Sequence, residues 1–199
     1  MAPKSSSQFE EIRERSKEKI IEAALKLFAE ESYHATSIAK IAKKAGVSKG
    51  LMYNYFHSKE DLLNAILDDA MKRAGDMATE MMQAKSAKAQ IKYIVEIAYE
   101  WIVNHEEYSK TLMTLSLHVG KFPQMQKIVD GKIESLKFVY YPIFEKLGFE
   151  NPEMEAKIFG ALIDGMALQY VSVGDKMGID ELKDYIIDKY CNNSINRTQ

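Results

Sequence analysis

The chain has little of what most enzyme and secreted scaffolds need. Its single cysteine, Cys191, excludes an intramolecular disulfide framework and a cysteine-based zinc site. Its four histidines, His34, His57, His105 and His118, are not at metal-ligand spacing from one another. There is no GxxxxGK[ST] phosphate loop, Gly-rich dinucleotide loop, GxSxG elbow or HExxH helix. The adjacent carboxylate pairs Asp68–Asp69 and Glu106–Glu107 point in different directions on a helix and read as surface solubility. No cofactor, metal or catalytic activity is therefore expected. No apolar run approaches the roughly 18 residues of a membrane span, and MAPKSSSQFEEIRERSKEKI carries no apolar core of a signal peptide. These absences predict a cytoplasmic protein with no membrane partner. No segment shows strand periodicity and no internal repeat stands out.

What is present is helical period nearly everywhere, in a chain of 199 residues that is 46% hydrophobic and so has enough apolar material for a core. From Ser16 to about Glu31, Ile20, Ala24, Leu27 and Phe28 share one face. Thr36 is placed to cap a short helix whose apolar positions are Ile38, Ile41, Ala42 and Ala45, and Gly46 supplies the left-handed residue that ends it. Ser48 offers a second N-cap for a helix of about two turns, with Val47, Met52 and Phe56 facing inward. Ser58, with Asp61 three residues on, starts another helix that continues through Leu62, Leu63, Ile66 and Leu67.

Two short helices joined across a glycine turn, with one helix before and one after, make a helix-turn-helix unit. If Val47, Met52 and Phe56 face inward, then Lys49, Gly50, Leu51, Tyr53 and Asn54 face out. Those side chains suit a DNA groove: lysine for guanine or phosphate, asparagine for adenine, leucine for a thymine methyl, tyrosine for a phosphate. Gly50 lowers helix propensity by roughly 1 kcal/mol, which suggests either close approach of an outside partner or relief of packing between the two helices. The net charge is only -2, yet Thr36 to Lys59 holds Lys40, Lys43, Lys44, Lys49 and Lys59 with no acid. Such a block is either a nucleic-acid footprint or a solvated face.

The stretch TSIAKIAKKAGVSKGLMYNYFHSKEDLL resembles the DNA-binding signature of the TetR/AcrR family of bacterial transcriptional regulators, of the form T-x-x-x-I-A-x-x-A-G-V-S-x-G-x-x-Y-x-Y/H-F-x-S-K-E-x-L. The likeness covers roughly 50 residues with the first helix and is dense rather than a lone dipeptide. It implies that Thr36, Ser48, Tyr53 and Lys59 hold the phosphate backbone, while Lys49, Gly50, Leu51 and Asn54 meet bases. Two positions depart from the family's pattern. Leu51 stands where many relatives have a small polar residue, often threonine, and Ser32 stands before Tyr33 where relatives commonly have glycine.

The expected architecture is all-α with about nine helices: a homeodomain-like helix-turn-helix domain over residues 1–60 and a ligand-binding and dimerisation domain over 61–199. Helices are predicted over Ile91 to Ile102, from Tyr108 towards Gly120, from Met125 to Leu147, from Asn151 to about Val173, and from Ile179 to Tyr190. The resemblance implies that the last two pair with a second copy in a four-helix bundle, with Phe159, Leu162, Met166, Tyr170, Leu182, Ile186 and Tyr190 as the interface candidates. The alternative is that both helices pack within one subunit. Trp101, His105, Met113, His118, Phe122, Phe138, Tyr141 and Met166 are candidates to line a site for a mostly apolar small-molecule inducer, against the reading that these stripes are ordinary core. The function expected is a homodimeric regulator that binds a double-stranded DNA operator, by the family's usual mode a repressor released by its inducer. The competing reading is a non-enzymatic helical module whose basic segment docks an acidic partner.

Overall fold

The computed structural model describes residues 6–116 and 125–192. Among them the elements are α1 (Ser6–Glu31), α2 (Ile38–Ala45), α3 (Lys49–Tyr55), α4 (Lys59–Met82), α5 (Ala87–Asn104), α6 (Glu106–Ser116), α7 (Gln126–Ser135), α8 (Tyr141–Lys146), α9 (Pro152–Val173) and α10 (Ile179–Cys191). A π turn, Leu136–Tyr140, joins α7 to α8, so that counting these three as one rod gives nine helices, and a 3₁₀ turn at Gly174–Met177 precedes α10. No strand is present among the described residues. The chain divides into two compact units, residues 1–69 and 70–199. Among the described residues no helix is long and apolar enough to cross a membrane.

In the first unit the apolar stripes meet in one core. Ile20, Ala24, Leu27 and Phe28 of α1, Ile41 and Ala42 of α2, Met52 of α3, Phe56, and Leu62, Leu63, Ile66 and Leu67 of α4 are all buried. Each buried isoleucine, leucine, methionine or phenylalanine among them contributes about 1.5–3 kcal/mol by leaving water. The boundaries have local causes. Ser48 Oγ accepts from Leu51 N at 3.0 Å and Ser58 Oγ from Asp61 N at 2.9 Å, while the Asp61 carboxylate accepts from His57 N at 3.0 Å, a reciprocal pair that starts α4. Gly46 ends α2 at φ 68° with its N–H on the carbonyls of Ala42 and Lys43. The cap of α2 corrects the sequence reading: Ser37 fills it, accepting from Lys40 N, whereas Thr36 is 2% exposed and its hydroxyl donates to the carbonyls of Leu27 and Ser32. A threonine whose hydroxyl is committed inside the α1–α2 corner supports the fold rather than facing solvent.

The second unit is organised around an aromatic nest. Phe144 of α8, Phe149, Phe159 of α9 and Tyr190 of α10 meet mostly edge to face, with Phe144 to Tyr190 at 5.3 Å and Phe159 to Tyr190 at 5.5 Å between ring centroids. Such pairs add about 0.5–1.5 kcal/mol each beyond area burial. Ile91, Ile94, Val95 and Ile102 of α5 complete this core with Met166 and Ile186. As expected, α9 begins at Asn151, which accepts from Met154 N, followed by Pro152 in the first turn.

One expectation is overturned. The single helix predicted from Met125 to Leu147 is broken by the π turn, in which Tyr141 N–H reaches back to Leu136 O. Pro142 is the cause: it has no N–H for the carbonyl of Phe138 and its ring collides with that carbonyl in an uninterrupted α-helix. A widened turn just before Pro142 removes the collision.

Candidate nucleic-acid interface and ligand cavity

The outward face of α3 is built by anchoring the inward one. Met52 and Phe56 are buried, Val47 and Leu51 are half-buried, and Ser48, Lys49, Gly50, Tyr53 and Asn54 are exposed. The Lys49 ammonium lies 5.9 Å from the Tyr53 ring centroid, so charge and aromatic share one ridge. A Cβ added to Gly50 would meet only Ser48 Oγ, 3.9 Å away. The glycine therefore does not relieve packing within the chain, and the space in front of it is open.

Lys59, which the resemblance places on the phosphate backbone, is engaged within the chain. Its ammonium donates to the carbonyls of Tyr33 (2.7 Å), Thr36 (2.9 Å) and His34 (3.4 Å) and lies 4.3 Å from the Tyr33 ring centroid. All three ammonium protons are directed at the loop between α1 and α2. Burial lowers its pKa, and the same burial, followed by the charge of Glu60, raises that of the Tyr33 phenol. Thr36 and Lys59 are thus internal struts of the unit. Lys40 and Lys44 are also engaged, in ion pairs with Glu31 and Glu30 of α1. The basic block that looks uniform along the chain presents its cations unequally.

The loop these struts hold has a further feature. Ser32 has φ 76°, the left-handed region, at the position where the family pattern commonly has glycine. Its N–H donates to Phe28 O at 3.0 Å and its carbonyl accepts from Thr36. The backbone keeps the glycine conformation although the side chain has changed.

In the second unit a cavity of about 430 Å³ opens among α4, α5, α6, α7, the π turn and α9. Its lining is mostly apolar, including Met77, Met81, Ile94, Ile97, Ile102, Leu112, Met113 and Ile163. Of the ligand candidates, Trp101 and Met113 line it, and the His105 ring packs on Trp101 at 4.3 Å without lining the space. Phe138 is 74% exposed and points away, Tyr141 is not in the lining, and Met166 is buried in the core. His118 and Phe122 lie outside the described residues. Sequence periodicity missed the polar lining of Arg73, Lys132, Tyr140 and Asp164, which comes from four separate segments. The Arg73 guanidinium lies 5.7 Å from the Trp101 ring centroid.

The interface candidates divide in the same way. Phe159, Met166, Ile186 and Tyr190 are buried inside the subunit, and Leu162, Tyr170 and Leu182 are half-buried against that core. Aromatic and large residues on α9 and α10 form its own core because the nest around Phe144 needs them. What α9 leaves in solvent is a different stripe, with Met154, Ile158 and Leu168 exposed on the side that also carries Ala161 and Gly165.

A helix-turn-helix whose second helix is anchored by Met52 and Phe56 and exposes Lys49, Tyr53 and Asn54 has the form of a DNA-binding unit, and the second unit carries a cavity with a mostly apolar lining. Residues 20–66 match the family described as bacterial regulatory proteins, tetR family. It is similar to the HTH-type transcriptional regulator BetI of Proteus mirabilis, 29% identical over 189 residues that cover 92% of this chain and 93% of that one. Its fold is similar to that of the fatty acid degradation regulator FadR from Bacillus halodurans, with a TM-score of 0.73 at 20% identity, covering 98% of this chain and 100% of that one. The transcriptional regulator FadR from Bacillus subtilis, solved in complex with stearoyl-CoA, matches with a TM-score of 0.68 at 22% identity, covering 88% of this chain and 97% of that one.

Proposed function

We propose that the protein is a homodimeric repressor, acting in the cytoplasm, that leaves its operator when a mostly apolar small molecule enters the cavity of the second unit. In this reading residues 1–69 read DNA and residues 70–199 bind the inducer and the second copy. The observation that carries it is the outward face of α3. Lys49, Gly50, Tyr53 and Asn54 stand in solvent with open space before Gly50, while Met52 and Phe56 hold the helix from behind. Ser48, Lys49 and Tyr53 meet phosphates, and Gly50, Leu51 and Asn54 meet base edges in the major groove. Thr36 and Lys59 act indirectly by holding the loop before α2.

Dimerisation supplies the second recognition helix one turn of DNA away, about 34–36 Å or a multiple of it. The exposed α9 stripe of Met154, Ile158, Ala161, Gly165 and Leu168 is the surface for it, since its small residues allow a helix of the second copy to approach. The stearoyl-CoA bound by the Bacillus subtilis neighbour supports an apolar chain as the kind of ligand, and so does the lining of methionine and isoleucine. Ligand and operator need differ by only 1–3 kcal/mol of coupling, about 5–150-fold in affinity, to give a useful switch. The α4 helix, whose residues fall in both units, is the element to carry it.

The test is a fluorescence-anisotropy titration against the DNA upstream of the gene and its neighbour. Lys49→Ala and Tyr53→Phe are expected to weaken binding and flatten its salt dependence. Full, equally salt-sensitive binding by both variants overturns the reading.

A further inference from the structure

Arg73, Tyr93, Ser109 and Ser116 are polar points elsewhere in the cavity lining, but at Tyr140, Lys132 and Asp164 the cavity has a polar corner that the chain goes to some length to build. The π turn that Pro142 enforces sets Tyr140 at its last position, facing α9, where the ring packs on Phe159 with centroids 5.3 Å apart. On α9 the residue opposite is Gly160, whose absent Cβ would lie 3.2 Å from Leu136 Cδ2 and 3.8 Å from Tyr140 Cε2. Glycine there lets the π turn close on α9. One helical turn further on, Asp164 lines the cavity beside Lys132 of α7, and the two pair at 2.7 Å. Their side chains are 59% and 61% exposed, which puts the pair at the cavity mouth, whereas Tyr140 is half-buried. The Tyr140 hydroxyl, which lines the cavity, has no hydrogen-bond partner among the described residues. A phenol in that position needs a partner, since leaving it unmade costs about 1–3 kcal/mol.

We infer that Tyr140, with the Lys132–Asp164 pair at the mouth, is a subsite for the head group of an amphipathic ligand whose head is a neutral oxygen acceptor, an ester, thioester, ketone or alcohol on an apolar chain. The inference rests on the cavity being the inducer site, and it adds the chemistry of the head. Burial, and then the charge of Asp164, push the phenol up to about 12, so at neutral pH it holds its proton and donates. A neutral oxygen accepts that proton's hydrogen bond and leaves the Lys132–Asp164 pair intact. A carboxylate head would bring a second negative charge beside Asp164, and a quaternary ammonium would compete with Lys132 for it while offering the phenol nothing to donate to. The apolar body lies along Met77, Ile97 and Met113 towards Trp101.

The chain's one tryptophan, Trp101, lines this cavity and reports occupancy without a label. The intact protein is titrated, below micelle-forming concentrations, with 1-decanol, decanoate and decyltrimethylammonium, three heads on one chain length, and with naphthalene as a headless probe. Decanol is expected to bind most tightly of the three, and Tyr140→Phe to weaken decanol about 2–10-fold, the worth of one ordinary hydrogen bond, while leaving naphthalene unchanged. Equal decanol affinity in the wild type and Tyr140→Phe overturns the subsite, as does tighter binding of either charged head. If naphthalene binds but no head is preferred, the subsite falls and the cavity stands as a ligand site. If no probe perturbs Trp101 in a protein that still binds its operator, both fall.

Discussion

The ammonium of Lys59, the first residue of α4, lies 2.7 Å from the carbonyl oxygen of Tyr33, 26 positions earlier in the chain. With Thr36 O at 2.9 Å it ties the entry of α4 to the loop that sets the angle between α1 and α2. Lys59→Met removes those bonds and leaves part-buried carbonyls unmet. The expected loss is about 1.5–3 kcal/mol of stability, read as a lower midpoint in chemical denaturation followed by circular dichroism. An unchanged midpoint with a salt slope for DNA binding by the dimer reduced by about two would restore Lys59 to the phosphate backbone.

Ser32, in the same loop, holds a left-handed backbone that costs a residue with a Cβ about 1–2 kcal/mol. Ser32→Gly removes that strain but adds freedom to the unfolded chain, so the net gain expected is about 1 kcal/mol. Thermal melting measures it. A lower melting temperature for the glycine variant would mean that the serine side chain makes a compensating contact.

These two residues mark where sequence reading stops. The inward set of Met52 and Phe56 and the caps at Ser48, Ser58 and Asn151 were legible, because each depends on residues three or four apart. The end of α9 at Val173 was legible for the same reason. The bonds of Lys59, the pairing of Lys40 and Lys44 with α1, and the burial of Phe159 and Tyr190 within the subunit join segments far apart in the chain. No local period announces them. The π turn had a local cause in Pro142, but the apolar spacing from Met125 to Leu147 read straight through it. The contribution of Arg73, Lys132, Tyr140 and Asp164 to the cavity lining stayed hidden because they come from α4, α7, the π turn and α9.

Gly50 separates a fold requirement from a partner requirement. Alanine there has open space and better helix propensity, so stability is expected to hold or rise by up to about 1 kcal/mol. Operator affinity is expected to fall at least about tenfold, on the order of 1.4 kcal/mol, because the added methyl stands where the DNA comes closest. Melting and anisotropy on the same sample decide it, and unchanged affinity would remove Gly50 from the contact surface.

The exposed and buried residues of α9 are expected to respond in opposite ways. Leu168→Asp, on the outward stripe, should give a helical monomer by sedimentation, with operator binding weakened accordingly. Phe159→Ala should lower subunit stability by about 3–5 kcal/mol through the cavity it leaves. A dimer that survives Leu168→Asp together with Ile158→Asp would place the interface elsewhere.

The ion pairs of Lys40 and Lys44 with α1 bear on how the protein competes with salt for its operator. Two of the five lysines between Thr36 and Lys59 already have a protein counter-charge, and a third points at carbonyls. Lys43 and Lys49 have no acidic partner among the described residues. In the proposed dimer, two lysines from each subunit would displace few condensed counterions, and at roughly 0.9 per phosphate this block is expected to contribute a slope of about -4 in log affinity against log salt, instead of about -9 for all five. A regulator built this way keeps more of its grip when the ionic strength climbs, and draws a larger share of its affinity from shape and base edges.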